Sequence, residues 1–259
     1  MSYWGRRAAK TQANLTEKTI RQTEKQLAKY YSDCMEDVVE RFVETYTHVL
    51  EAAGDGKEPT PADLYKLDTY WRMQGELQQK LQKLGNKQMV LFGKEFVAEY
   101  RDIYESIALG AGDAFGTANM DLAQQAIQSI WCADGKSWSD RVWKNTEKLA
   151  ETLNEELVQC LVTGKKTSEL KKRLQQRFSV SYSNADMIAR TELSHIQTVA
   201  AQQRYKDYGI KKVEILADKD ERRCPTCGKL HGKQLLITDV MPVPVHPNCR
   251  CSIIPVIED

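Results

Sequence analysis

The sequence predicts an α+β protein with a mostly helical N-terminal region of long helices, followed by a small α+β domain with short strands. Three observations carry this. Apolar residues recur every three or four positions over most of the first 208 residues. Five of the seven prolines, at 225, 242, 244, 247 and 255, lie near the C-terminus, where the helical period stops. Four of the seven cysteines fall in the last 36 residues. The expected division is therefore 1–136 for the helical region and 137–259 for the α+β domain with its Cys/His cluster at 224–251.

The first helix carries Tyr30, Tyr31, Met35, Val38, Val39, Phe42, Tyr46, Val49 and Leu50 as one stripe, with Asn14 and Glu17 as its expected N-terminal capping box and Gly54-Asp55-Gly56 as its end. Thr60-Pro61 with Asp63 opens a second helix, expected to stop at Gly85-Asn86, and a third is expected from about Gln88 to Leu109. Glycines 110, 112 and 116 mark a break before a short helix containing Leu122, Ala126, Ile130 and Trp131. Ser139 is the expected cap of a long helix that places Val142, Thr146, Leu149, Leu153, Leu157 and Leu161 on one face and closes at Gly164. Two further helices are expected, Ser168 to Phe178 and Asn184 to Tyr208. Strand-like stretches follow at Val213 to Leu216, Leu235 to Ile237 and Ser252 to Ile257.

With 37 Lys and Arg against 36 Asp and Glu, the chain is no polycation, and its longest apolar run, Met89 to Phe92, excludes a membrane-spanning helix. The start MSYWGRRAAK lacks the apolar run of a secretory signal, so the expectation is a chain that folds in a cytosol, with its thiols reduced. Charge is segregated locally. Residues 1–29 hold seven Lys or Arg against two acids, and residues 30–53 one Arg against six acids. A second basic stretch, Lys165, Lys166, Lys171, Lys172, Arg173 and Arg177, surrounds Glu169. Such a run reads as a solvated helix face or, more sharply, as a contact for the phosphates of double-stranded DNA.

The segment CPTCGKLHG places Cys224 and Cys227 at the spacing by which one turn presents two thiolates to one metal, and HPNCRC brings His246, Cys249 and Cys251 about twenty residues later. With His231 the candidate ligands number six, whereas zinc takes four in a structural site. The favoured set is Cys224, Cys227, His246 and one or both of Cys249 and Cys251, with His231 in reserve. The plain alternative is a small core of reduced cysteines. Neither HExxH nor the H-x-E of zinc deaminases is present, so those catalytic zinc chemistries are excluded.

The order Ile188-Ala189-Arg190-Thr191-Glu192, a helix reaching Tyr205 and Gly209, CPTCGKLHGK and then PVHPNCRC resembles the C-terminal domain of phage minor head proteins. This is the head-morphogenesis family of phage Mu protein F and its relatives in siphophages of Gram-positive bacteria. The resemblance covers roughly 140–257. It departs at Ile215-Leu216, where the family often has an aromatic residue, and at Arg223, where it has threonine before the first cysteine.

What the resemblance implies is a structural role without turnover: a minor capsid protein in the virion, in the head interior or at the portal vertex, and in the host cytoplasm during assembly. Its implied partners are the portal protein, capsid or scaffold protein and packaged double-stranded DNA, with no membrane, and the stripe from Tyr30 to Leu50 is the expected portal-binding face. The alternatives are a zinc-supported nuclease, for which His231, Asp218 and Asp220 are the available acid and base groups, and a zinc-bearing DNA-binding module. ADP-ribosyl transfer by Arg190-Thr191-Glu192 is disfavoured, because consecutive residues on a helix point 100° apart and do not converge on one ligand. A helix-to-loop salt bridge from Arg190 or Glu192 is expected instead.

Overall fold

The computed structural model describes residues 2–53, 60–110, 116–217, 223–239 and 241–257. The elements run α1 (Tyr3–Ala53), α2 (Pro61–Tyr65), α3 (Asp68–Ser106), α4 (Met120–Gln128), α5 (Trp138–Val162), α6 (Thr167–Asp207), β1 (Lys212–Leu216), α7 (Pro225–Leu230), β2 (Gln234–Leu236) and β3 (Ser252–Pro255). The expected α+β class with long helices and a short-stranded C-terminal region is what the chain adopts. Its contacts gather into two compact units, each drawing on both sides of residue 137. One comprises Met1–Glu24, Leu91–Trp138 and Met187–Asp259, and the other Lys25–Val90 and Ser139–Asp186.

Several expected helix ends are corrected. The first helix begins at Tyr3, because the Ser2 hydroxyl accepts the Gly5 N–H at 3.1 Å and caps it there; Asn14 lies inside the helix. Its expected end at 54–56 falls outside the described residues. The Thr60-Asp63 box forms, with Asp63 Oδ2 accepting from Thr60 N at 3.0 Å and Thr60 Oγ1 at 2.7 Å, but it starts only the short α2. The break expected at Gly85-Asn86 is absent, and α3 runs straight through. Gly85 serves packing: a Cβ there would lie 2.5 Å from Trp143. The helices expected at 168–178 and 184–208 are likewise one, α6. Between the two expected segments the Ser183 Oγ donates to Ser179 O at 3.0 Å, and the Ser181 Oγ lies 3.1 Å from Tyr31 Oη.

The unit of 25–90 and 139–186 is all helix. Its core takes the α1 stripe, with Leu27, Tyr31, Val38, Val39, Phe42, Tyr46 and Val49 buried, together with Leu77, Leu81 and Leu84 of α3, Leu149, Leu153 and Leu157 of α5, and Leu170, Leu174 and Phe178 of α6. Tyr46 is fully buried, its hydroxyl 2.6 Å from Lys165 O and 3.1 Å from Cys160 O, where it answers the carbonyls left over at the end of α5. Gly164, at φ 58°, and the Lys165 N–H on Cys160 O at 2.9 Å complete that terminus as expected. Most of the stripe is thus packed inside this unit and those residues are not free to form a portal-binding face, while Tyr30 and Met35 are half-buried and Leu50 is exposed.

In the other unit β1 lies between β2 and β3, antiparallel to both, with Val213 opposite Leu235 and Ile215 opposite Ile253. A buried polar chain crosses its core. Gln12 Nε2 donates to Ile253 O at 3.0 Å and to Tyr205 Oη at 2.8 Å, Gln197 Nε2 donates to Gln12 Oε1 at 3.2 Å, and Thr16 Oγ1 lies 3.0 Å from Gln197 Oε1 and 2.5 Å from Glu99 Oε1. A backbone carbonyl only accepts, so Ile253 O fixes the direction of both amides and turns Gln197 Oε1 toward Thr16. Gln197 Oε1 and Glu99 Oε1 thus compete for the single Thr16 proton, a conflict that a protonated Glu99 relieves by donating its own. Burial acts in the same direction, pushing the Glu99 carboxyl up to about 7 against hydrogen bonds from Thr16 and Thr19 and helped by Asp102 and Glu95.

Candidate metal centre

Cys224 stands at the N-cap of α7 with Pro225 at the first helical position, and its Sγ accepts the Cys227 N–H at 3.3 Å. One turn thereby delivers both sulfurs. The other ligands arrive on a tight turn in which Cys249 N donates to His246 O at 3.1 Å, with Pro247 second and Asn248 third at φ 59°. Proline followed by a left-handed residue is the order of a type II turn, and asparagine tolerates that conformation. The chain then enters β3, so Cys249 and Cys251 leave the turn two residues apart.

Cys224 Sγ is 3.3 Å and Cys227 Sγ 3.2 Å from His246 Nε2, and Cys227 Sγ is 3.7 Å from Cys249 Sγ. Tetrahedral zinc, with bonds of about 2.3 Å to sulfur and about 2.0 Å to nitrogen, sets its ligands about 3.5 to 3.8 Å apart. The Cys227–Cys249 sulfur pair matches such an edge, and the two sulfur–nitrogen pairs are a few tenths of an ångström shorter. Among the described residues two groups qualify, Cys224, Cys227 and His246, and Cys227, Cys249 and Cys251, each with its ligand atoms within 4.8 Å of one another and with Cys227 common to both. A cavity of about 30 Å³ is lined by Arg223, Cys224, Cys227, His246, Arg250 and Cys251, room for one small occupant.

The electrostatics favour thiolate at part of the cluster even before metal. A hydrogen bond from the Cys251 thiol draws Cys249 down to about 5, and the Cys227 backbone N–H draws Cys224 to about 7. Burial pushes Cys227 up to about 12, and its bond to Cys249 keeps Cys251 protonated. His246 Nδ1 lies 2.8 Å from Pro247 O, a pure acceptor, so Nδ1 carries a proton and Nε2 is the atom that faces the sulfurs, and the same bond raises the imidazole above its ordinary value.

Five of the six expected ligands therefore converge. His231 does not: its Nδ1 accepts the Ala217 N–H at 3.3 Å, and it belongs to neither group. Asp218 and Asp220 lie outside the described residues.

The Arg190-Thr191-Glu192 turn diverges as helical geometry requires. Arg190 pairs with Glu24 of α1, Thr191 Oγ1 accepts the Asn248 N–H at 3.0 Å, and Glu192 Oε2 accepts Trp131 Nε1–H at 2.9 Å. The expected helix-to-loop bridge is thus a helix-to-helix pair at Arg190, while Glu192 reaches a loop indole. The Thr191–Asn248 bond went unread in the sequence, although HPN is itself a type II turn signal that leaves one N–H seeking an acceptor.

In the helical unit, Lys165, Lys166, Lys171 and Lys172 are exposed. Arg173, half-buried, pairs with Glu169 at 3.1 Å and Glu156 at 3.2 Å, unlike the four lysines. Arg177 also binds Glu156. Burial opposes ionisation of Glu156, yet the Arg177 and Arg173 bonds hold it below the ordinary carboxylate range.

The family described as phage Mu protein F like protein has a model that matches residues 151–254, from the middle of α5 to β3. Over this segment the chain is similar to phage Mu protein F. The matched range contains the four exposed lysines, the 190–192 turn and all five converging ligands. The NAD(+)-arginine ADP-ribosyltransferase EFV of Enterococcus faecalis strain V583 is 29% identical over 142 residues, which are 48% of this chain and 29% of that protein. The match thus spans less than a third of that relative. No solved structure matches the chain. Among the described residues no helix is long and apolar enough to cross a membrane.

Proposed function

We propose that the chain is a minor head protein of a tailed phage, located in the virion and acting in head assembly together with the portal protein and capsid or scaffold protein. The observation that carries this reading is the F-like match over 151–254, which takes in every motif on which the resemblance rests. The motifs all lie beyond residue 137, the boundary we assign between the functional regions 1–136 and 137–259. Lys165, Lys166, Lys171 and Lys172 supply a contact for double-stranded DNA without base readout, one that weakens steeply with salt. Zinc on Cys224, Cys227, His246 and Cys249, or Cys251 in place of Cys249, holds the C-terminal segment together in a structural role.

The name of the Enterococcus relative describes that protein, more than two thirds of which lies outside the match. Transfer chemistry on Arg190, Thr191 and Glu192 is not part of our reading, since the three side chains are spent on three separate partners. For a nuclease, His231 would have to act with its Nδ1 already turned to a backbone N–H.

The test is co-expression with the portal protein of the same genome, followed by co-purification and counting of copies per procapsid. Stoichiometric recovery with procapsids is expected, and assembly of normal procapsids that exclude the chain would overturn the reading. For the DNA contact, charge reversal of the four lysines is expected to abolish retention of duplex DNA at low salt. An unchanged binding curve rejects that face.

A further inference from the structure

Thr191 lies in the middle of α6, 57 positions from the turn it touches. Its own proton goes to Met187 O at 2.7 Å, so the oxygen presents a lone pair outward. That lone pair receives the N–H of Asn248 at 3.0 Å. In a type II turn the N–H of the third residue has no partner inside the turn, and its peptide plane is the part that flips when the turn changes type.

The same plane is held at its other end. The carbonyl of Pro247 and the N–H of Asn248 belong to one peptide, and that carbonyl accepts Nδ1–H of His246 at 2.8 Å. A peptide is planar, so fixing the N–H fixes the direction of the C=O. The carbonyl in turn fixes both the tautomer and the angle of the imidazole, and with them the aim of Nε2 at Cys224 Sγ and Cys227 Sγ, 3.3 and 3.2 Å away.

We infer that Thr191 is a positioning residue of the metal centre, setting the Pro247–Asn248 peptide plane and through it the ring of the ligand His246. The inference rests on the reading of the cluster as a zinc site. It also gives a physical reason for the helical 190–192 turn and the HPNCRC turn to occur together in one chain: the hydroxyl of the first orients the ligand of the second. Valine at 191 keeps the shape of threonine and removes the acceptor, whereas serine keeps the acceptor.

The experiment uses the purified full chain, with Thr191→Val, Thr191→Ser and wild type compared. Zinc affinity is measured by competition with a chromophoric chelator, the coordination sphere by the visible spectrum of the cobalt(II) form, and the His246 tautomer by nitrogen NMR of the metal-free chain. Loss of an outer partner of this kind lowers metal affinity by about 10- to 100-fold. Thr191→Val is expected to fall in that range, with altered cobalt bands and a mixed tautomer, and Thr191→Ser to restore all three. Should the valine variant fail to fold by circular dichroism, Thr191→Ala takes its place. A wild type that binds one zinc, with a valine variant equal to it in affinity, spectrum and tautomer, overturns the inference and leaves the zinc reading standing. A wild type that takes up neither metal overturns the zinc reading, while a tautomer that still shifts in the valine variant upholds the link from Thr191 to His246.

Discussion

The helical unit of 25–90 and 139–186 and the segment from Lys212 to Val256 differ in what they bury. The first buries a repeated apolar stripe on four helices, in which Phe42, Tyr46, Leu153 and Leu157 are fully enclosed. The second has strands of five, three and four residues, and several of its buried side chains are the sulfurs of Cys227, Cys249 and Cys251. Where apolar area is plentiful, order is spread over many replaceable contacts. Where it is scarce, order is concentrated in a few atoms, and a metal gathering them supplies folding free energy directly. The two should therefore fail under different perturbations.

The largest separation is expected from the metal. Purified chain should hold about one zinc, and Cys227→Ser, or a strong chelator, should remove it and open the segment beyond residue 210 to proteases. The helices of 25–90 and 139–186 should keep their circular dichroism and protease resistance. Fully folded protein without zinc, resistant at both places, would reduce the cluster to a thiol core and erase the contrast.

The converse perturbation is smaller. Phe42→Ala leaves a cavity in the helical unit and should cost about 3 to 5 kcal/mol. Denaturant unfolding followed by tryptophan fluorescence measures the loss, and zinc content should not change. A variant that sheds zinc in proportion would show the two regions to be one cooperative system.

Acidity sharpens the comparison further, because Glu99 lies in the unit that carries the cluster and outside the all-helical one. Its folded-state value of about 7 stands above the ordinary 4.5, so between those values the folded chain keeps a proton that the unfolded chain releases. Stability should then fall as pH rises from about 4.5 to 7 and level off above, a loss on the order of 3 kcal/mol from this one group. Glu99→Gln, which keeps a donor for Thr16, should flatten that slope and exceed wild type in stability at pH 8. Parallel unfolding curves for the two proteins at pH 5 and pH 8 would show Glu99 to be an ordinary carboxylate.

The smallest effect is expected at Gly85. A methyl group there meets the Trp143 ring at 2.5 Å, so Gly85→Ala should destabilise the helical unit by about 1 to 3 kcal/mol even though alanine is the better helix former. An increase in thermal midpoint would mean that the tryptophan yields.

Periodicity along the chain determined the existence of the long helices, the composition of their buried face and the position of the three strands, because side-chain spacing on one element is a local property. Ligand spacing likewise marked the two clusters that meet, since a CxxC turn and an HPNC turn each bring their own members together, while the exclusion of His231 came from the fold. Helix ends were less legible. Gly85 carries the composition of a break, and only the tertiary structure shows the tryptophan against it and the unbroken run of α6 across 179–183. The same limit applies to availability. Tyr30 to Leu50 and Arg173 read as surfaces for partners, and the fold spends most of that stripe and this arginine internally, on apolar neighbours and on Glu156. The surroundings of Glu99 and the contact of Thr191 with Asn248 were decided in the same way. Each depends on one hydrogen bond between residues 57 or more positions apart, and no local pattern in a sequence records which distant acceptor a donor will meet.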